Sequence, residues 1–360
     1  MQSIILTLVL LANVSALPQA PDHVRLYDRG LAEYQSGNFT RAEMLLLEAV
    51  DAAKQVNDDY TVALSYCGLG DVYQATERFR EAEQSFRKGI SSLADKRGRQ
   101  HAQAIIWRNL AAALAGQTHF ADALSALKES SKLAKSNNLQ DAVLDAQILN
   151  TYGVIYFYQH KIGKAKSSFL RAIEITKRAG TDEELVRRET LHNLGRLYHD
   201  AREYEKAEDA YKQSLSIAET RYGASNAMLT VTINNIGSLY NESRRYADAE
   251  KQFLRSLAML QQPQSPFEER QLIETLFGLG KTYILQKEPA RASPLLNRAA
   301  EFARRTLGNR LEAPQIVEIL ETYSKVLKDL QNPVEAERIQ VEARRIRASA
   351  AFTIRATTGK

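Results

Sequence analysis

The sequence predicts an all-α protein: about eight antiparallel helical hairpins stacked into a solenoid with a period of about 42 residues. Three observations lead there. Glycine (17) and proline (8) are scarce among the 360 residues, while Ala, Leu, Arg, Glu and Lys dominate, and that mixture favours helix nearly everywhere. A small residue followed twelve places later by alanine recurs at Gly30/Ala42, Gly70/Ala82, Ala111/Ala123, Gly153/Ala165, Gly195/Ala207, Gly237/Ala249, Gly280/Ala292 and Ser324/Ala336. The intervals between successive small residues are 40, 41, 42, 42, 42, 43 and 44. Finally, apolar side chains inside each unit fall at helical offsets: Leu191, Leu194 and Tyr198 on one face, then Tyr204, Ala207, Tyr211 and Leu215 on the next, with a short break at 200–203.

Residues 1–20 stand apart. Ile4 to Val14 is an uncharged apolar run too short to span a bilayer, and Val14-Ser15-Ala16 fits a small-residue cleavage site. The expectation is a secretory signal peptide and a secreted or periplasmic protein. The segment has no lysine or arginine, so the alternative is a cytoplasmic protein whose apolar first helix caps the array.

The solenoid is expected over 21–347, with repeats near 23–56, 61–96, 101–137, 143–180, 183–222, 226–262, 268–308 and 312–347, and a basic tail at 348–360. The small residues are read as close helix crossings, where a larger side chain would push the axes apart. Tyr73, Tyr156, Tyr198, Tyr240 and Tyr283 recur three places after the small residue, and Phe86, Phe169, Tyr211 and Phe253 four places after the alanine. That stripe is read as core, with the tyrosine hydroxyls reaching neighbouring backbone or water. Thr40 to Glu43 and Thr181 to Glu184 have the pattern of capping boxes, and Pro289 and Pro333 fall where second helices begin. No hairpin can bury both of its apolar sides alone, so neighbours must stack.

Other chemistry finds little support. Cys67 is the single cysteine, which rules out an internal disulfide and a cysteine-cluster metal site. The net charge of +5 disperses 48 basic among 43 acidic residues, so no nucleic-acid surface is expected. Gly280-Lys281-Thr282 lacks the first glycine of a phosphate loop and falls inside a helix. His192 and His199 are two helical turns apart, too far for easy shared ligation of a metal. No catalytic signature, cofactor or metal is expected.

Leu191 to Tyr198, Tyr204 to Tyr211, Ile233 to Tyr240 and the connecting Glu219-Thr220-Arg221-Tyr222-Gly223 resemble the tetratricopeptide repeat family, and the spacing is similar to its kinesin light chain branch. The resemblance covers nearly all of 26–343 and implies a right-handed α-solenoid whose first helices line a concave groove. It implies ligand positions at Arg108, Asn109, Asn150, His192, Asn193, Arg196, Asn234, Asn235 and Lys281. Asn109, Asn193 and Asn235 share one repeat position, and an amide that both donates and accepts can pair with a peptide backbone of any sequence. The groove counts more acidic residues (Asp28, Asp71, Glu189, Asp200, Glu242, Glu274, Glu318, Glu321) than basic ones (Arg108, Arg196, Lys281, Lys325), which favours neutral or basic segments. The expected function is a non-enzymatic scaffold for a protein or peptide partner. The alternative is an assembly subunit docking through its Arg-rich last helix, with no transmembrane segment once the leader is removed.

Overall fold

A computed structural model describes residues 20–94, 98–136, 141–179, 184–307 and 313–358. Residues 1–19 of the expected leader and 181–183 of the second expected capping box lie outside the described residues. Among the described residues there are sixteen α-helices and no strand. They come as pairs: α1 (Asp22–Gln35) with α2 (Phe39–Gln55), α3 (Asp59–Ala75) with α4 (Phe79–Ser92), α5 (Gln100–Gly116) with α6 (Phe120–Ser136), and α7 (Ala142–Tyr158) with α8 (Ile162–Ala179). Then follow α9 (Glu184–Asp200), α10 (Tyr204–Tyr222), α11 (Thr230–Glu242), α12 (Tyr246–Met259), α13 (Pro266–Leu285), α14 (Pro289–Leu307), α15 (Ala313–Asp329) and α16 (Pro333–Thr358). Helix α16 continues through most of the residues set apart above as a tail.

The chain divides into two compact units, Met1–Ala201 with α1 to α9 and Arg202–Lys360 with α10 to α16. In the first unit each second helix packs on its own hairpin partner and on the first helix of the next hairpin. The first helices α1, α3, α5, α7 and α9 also touch in succession, forming one inner layer. The second unit repeats the scheme, with α11 against α13 in the corresponding layer.

The turns between paired helices share one backbone conformation. The residue two places before the second helix is left-handed: Gly37, Glu77, Thr118, His160, Arg202, Arg244, Lys287 and Gln331, with φ between 56° and 79°. The backbone then closes as in the second hairpin, where Arg78 N–H donates to Tyr73 O at 2.7 Å and Glu77 N–H to Gln74 O at 3.0 Å, capping the last carbonyls of α3. Only Gly37 is free of the side-chain cost of that conformation. Thr118, β-branched and exposed at φ 64°, carries most of it. Thr118→Gly is therefore expected to stabilise the first unit by up to about 1 kcal/mol in chemical denaturation. The turn also corrects the reading of Thr40 as a cap: α2 starts at Phe39, and its preceding residue Asn38 donates from Nδ2 to Glu33 Oε2 at 2.8 Å instead of capping.

The small residues are notches for the aromatic stripe. A Cβ on Gly237 would stand 2.7 Å from Phe253 Cζ, and Gly278, on the next first helix, faces the same ring. Leu46 likewise lies between Gly30 (2.7 Å to a built Cβ) and Gly68 (3.1 Å). One second-helix side chain thus locks its own hairpin and the one that follows.

Three of the five tyrosine hydroxyls, those of Tyr73, Tyr240 and Tyr283, find a side chain where neighbouring backbone or water was expected. They reach a glutamate on the preceding hairpin: Tyr73 to Glu43 at 2.9 Å, Tyr240 to Glu208 at 2.8 Å and Tyr283 to Glu250 at 3.0 Å. An arginine at the start of the second helix then lies over each of these rings and bonds the same carboxylate: Arg78 and Arg245, just before α4 and α12, at 4.2 Å and 4.1 Å from the ring centre, and Arg291, in the first turn of α14, at 3.9 Å. At these three places a carboxylate that binds both a hydroxyl and a guanidinium draws the rim of the second helix onto the next hairpin.

Candidate functional site

The inner layer of the first unit carries polar groups where a helical bundle would ordinarily be apolar. Successive first helices approach closely enough for side chains on the same stripe to bond across them. Asn109 on α5 donates from Nδ2 to Asp71 Oδ1 on α3 at 3.0 Å and lies 3.5 Å from Cys67 Sγ. Asn193 on α9 donates to Asn150 Oδ1 on α7 at 3.1 Å, and Asn150 Nδ2 donates to Glu189 Oε1 on α9 at 3.1 Å. Asn109, Asn150 and Asn193 are all buried. These amides therefore link neighbouring helices, and because an amide has two donors and two acceptor sites, those links do not exhaust it.

Charged groups gather on the same stripe. Arg108 is 2 % exposed, and its Nε–H has no hydrogen-bond partner. Burial disfavours its charge, while Glu189 and Asp71 support it. Burial also pushes the Asp71 carboxyl well above the usual carboxylate range against the pull of Arg108, and the Cys67 thiol rises for the same reason. Cys67 is accordingly a buried, protonated packing residue rather than a nucleophile. Arg188, 8 % exposed, was not foreseen from sequence; its signal would have been its place one turn before His192 on the same helix face.

His192 is partly buried, and its imidazolium is disfavoured by burial, then by Arg196 and Arg188, so that its pKa falls to about 3. The unfolded chain would take up that proton near pH 6.5. Between those values the unfolded state holds more protons, so stability falls as pH falls from about 6.5 toward 3. His192→Phe is expected to flatten that part of the pH profile in thermal melts; an unchanged slope would refute the assignment. Arg196 is half-buried over the Phe157 ring at 5.6 Å, and with Asn193, Val154, Tyr158 and Phe169 it lines a shallow surface recess.

In the second unit Asn234 is buried, donating to Gln271 Oε1 at 3.4 Å and accepting from Thr275 Oγ1 at 3.1 Å. Gln271 and Thr275 were also missed by sequence reasoning; they stand one helical turn apart on the facing stripe of α13. Asn235 is half-buried. Lys281 is exposed, 3.6 Å from Glu318 and 5.2 Å from the Phe277 ring centre. It lies within α13, as does the rest of Gly280-Lys281-Thr282. Among the described residues no group of three or more His, Cys, Asp or Glu side chains could hold a metal, and no helix is long and apolar enough to cross a membrane.

A stack of helical hairpins with glycine notches, aromatic wedges and a polar inner layer defines a helical-repeat protein. The tetratricopeptide repeat profile matches residues 23–95, 144–220, 190–262 and 228–305, and the chain belongs to that family. Among solved structures it is similar to the apo form of the quorum sensor NprR from B. thuringiensis (TM-score 0.62, 16% identity, covering 91% of this chain and 89% of that one). It is also similar to BtubC (BKLC) from P. vanneervenii (TM-score 0.57, 21% identity, 65% and 93%) and to aspartyl phosphate phosphatase F from Bacillus subtilis (0.57, 12%, 91% and 85%). At these identities the likeness is one of fold. No curated protein matches the sequence.

Proposed function

We propose that the chain is a non-enzymatic scaffold that holds a peptide or protein segment against the inner layer of first helices. The observation that carries this reading is the recurrence of an amide at one repeat position, Asn109, Asn193 and Asn235. Arg108, Asn150, His192 and Arg196 accompany the first two, and Asn234 and Lys281 accompany the third. Amides spaced at the repeat period suit the main chain of a bound segment whatever its sequence. A fold shared with a quorum sensor fits a protein whose work is recognition. In a peptide-display selection, the best binder is expected to lose at least about tenfold in affinity against Asn193→Ala or Asn235→Ala, a difference of about 1.4 kcal/mol. Undiminished binding to both variants would retire the proposal.

A second reading is assembly through the last helix. Val334 (83% exposed) and Val341 (53% exposed) lie two turns apart on α16 beside Arg338 and Arg345, an apolar pair rimmed by cations. Sedimentation in which Val334→Asp with Val341→Asp leaves the assembly state unchanged would count against it. Residues 1–20 would direct the protein to a secreted or periplasmic location, which N-terminal sequencing of the mature protein decides.

A further inference from the structure

We propose that helix α8 is a docking face for an anionic membrane surface. The inference goes beyond the inner-layer reading and does not depend on it, because α8 is a second helix. It packs on α7 and α9 and buries Ala165, Phe169, Ala172 and Ile173. The opposite side faces solvent. Leu170 stands there 44% exposed, Ile162 is 39% exposed two turns earlier, and the space around Gly163 is open. At about 100° per residue, Lys166 and Lys177 fall to one side of Leu170, and Lys164, Arg171 and Arg178 fall to the other.

Those five cations share the helix with a single acid, Glu174, and Arg178 takes it at 2.6 Å. Among the described residues none of the other four meets a carboxylate; Lys164 and Lys166 lie instead over the rings of Tyr156 and Tyr198, at 5.6 Å and 5.1 Å from their centres. On α10, by contrast, Lys206 and Lys212 are bonded to Glu203 and Glu208. A plane of anionic headgroups meets both flanks of α8 at once and lets Leu170 and Ile162 reach toward the acyl boundary. An acidic peptide lying along one flank would leave the cations of the other unmatched. A nucleic-acid strand would want exposed rings to stack on, and the one aromatic residue of α8, Phe169, is 1% exposed.

The test is co-sedimentation of the full chain at low salt with vesicles of phosphatidylcholine alone and of equimolar phosphatidylcholine and phosphatidylglycerol. Binding to the mixed vesicles is expected to be at least about tenfold tighter, and to fall away as salt is raised. The uncharged run Ile4 to Val14 would attach to both kinds of vesicle alike, so the difference between them reports the cations. Lys164→Gln with Arg171→Gln should weaken binding to the mixed vesicles by about 25-fold, roughly fivefold for each charge. Lys206→Gln with Lys212→Gln removes the same net charge from α10 and should leave that binding unchanged within about twofold. Equal binding to the two vesicle types, an α8 variant that binds like the wild type, or an equal loss in the α10 variant would each overturn the proposal. So would attachment to poly-glutamate without attachment to mixed vesicles, which would assign the face to an acidic partner instead.

Discussion

Phe253→Ala is expected to destabilise the second unit by about 3–5 kcal/mol, the cost of emptying a site that a large aromatic side chain fills. The ring is 1% exposed and meets both Gly237 on α11 and Gly278 on α13, so its loss opens the packing of its own hairpin and of the next. Gly237→Leu attacks the same contact from the other side. Even a single Cβ there stands 2.7 Å from the ring, and overpacking of this kind costs about 1–3 kcal/mol or more. Because both changes act on one contact, the double variant should fall well short of the sum of the singles. Hydrogen exchange resolved along the chain should show protection lost first in α11 to α13. Loss beginning instead at α16 would mean that the wedge does not hold the repeats together.

Asn150→Ala has the second largest expected effect. Asn150 is 2% exposed and is the middle member of a chain in which Asn193 donates to it and it donates to Glu189. Truncation orphans the buried Asn193 amide hydrogen, at about 1–3 kcal/mol, and removes one hydrogen bond from the buried Glu189 carboxylate. Asn150→Asp keeps the acceptor for Asn193 but sets a carboxylate against Glu189, and it should be at least as damaging at neutral pH. Equilibrium denaturation of the alanine variant at wild-type stability would show that the inner-layer network is not structural.

The sequence made the repeat legible because packing demands are periodic. A glycine under an aromatic, and an alanine where two helices cross, cannot be exchanged for larger residues without moving the axes, so Gly237, Ala249 and Phe253 announce themselves at a fixed interval. The hairpin turns were hidden for the opposite reason. Seven of the eight left-handed positions hold side-chain-bearing residues such as Thr118 and His160, so no run of glycines marks them. Tyr240 could be placed in the core, but its partner Glu208 sits thirty-two residues earlier, and only the stacking of hairpins brings them together. The candidate site was legible as a stripe of Asn109, Asn150 and Asn193. Their engagement with Asp71, with Glu189 and with one another depends on how closely successive first helices approach, which no single repeat encodes.

Site-specific photo-crosslinking tests the central claim most directly, with one probe at Arg196 on the inner layer of the first unit and another at Met44, a 50% exposed residue on the second helix α2. A selected peptide ligand is expected to be captured from position 196 and not from position 44, and Asn193→Ala is expected to abolish the capture. Capture from position 44 alone would contradict it.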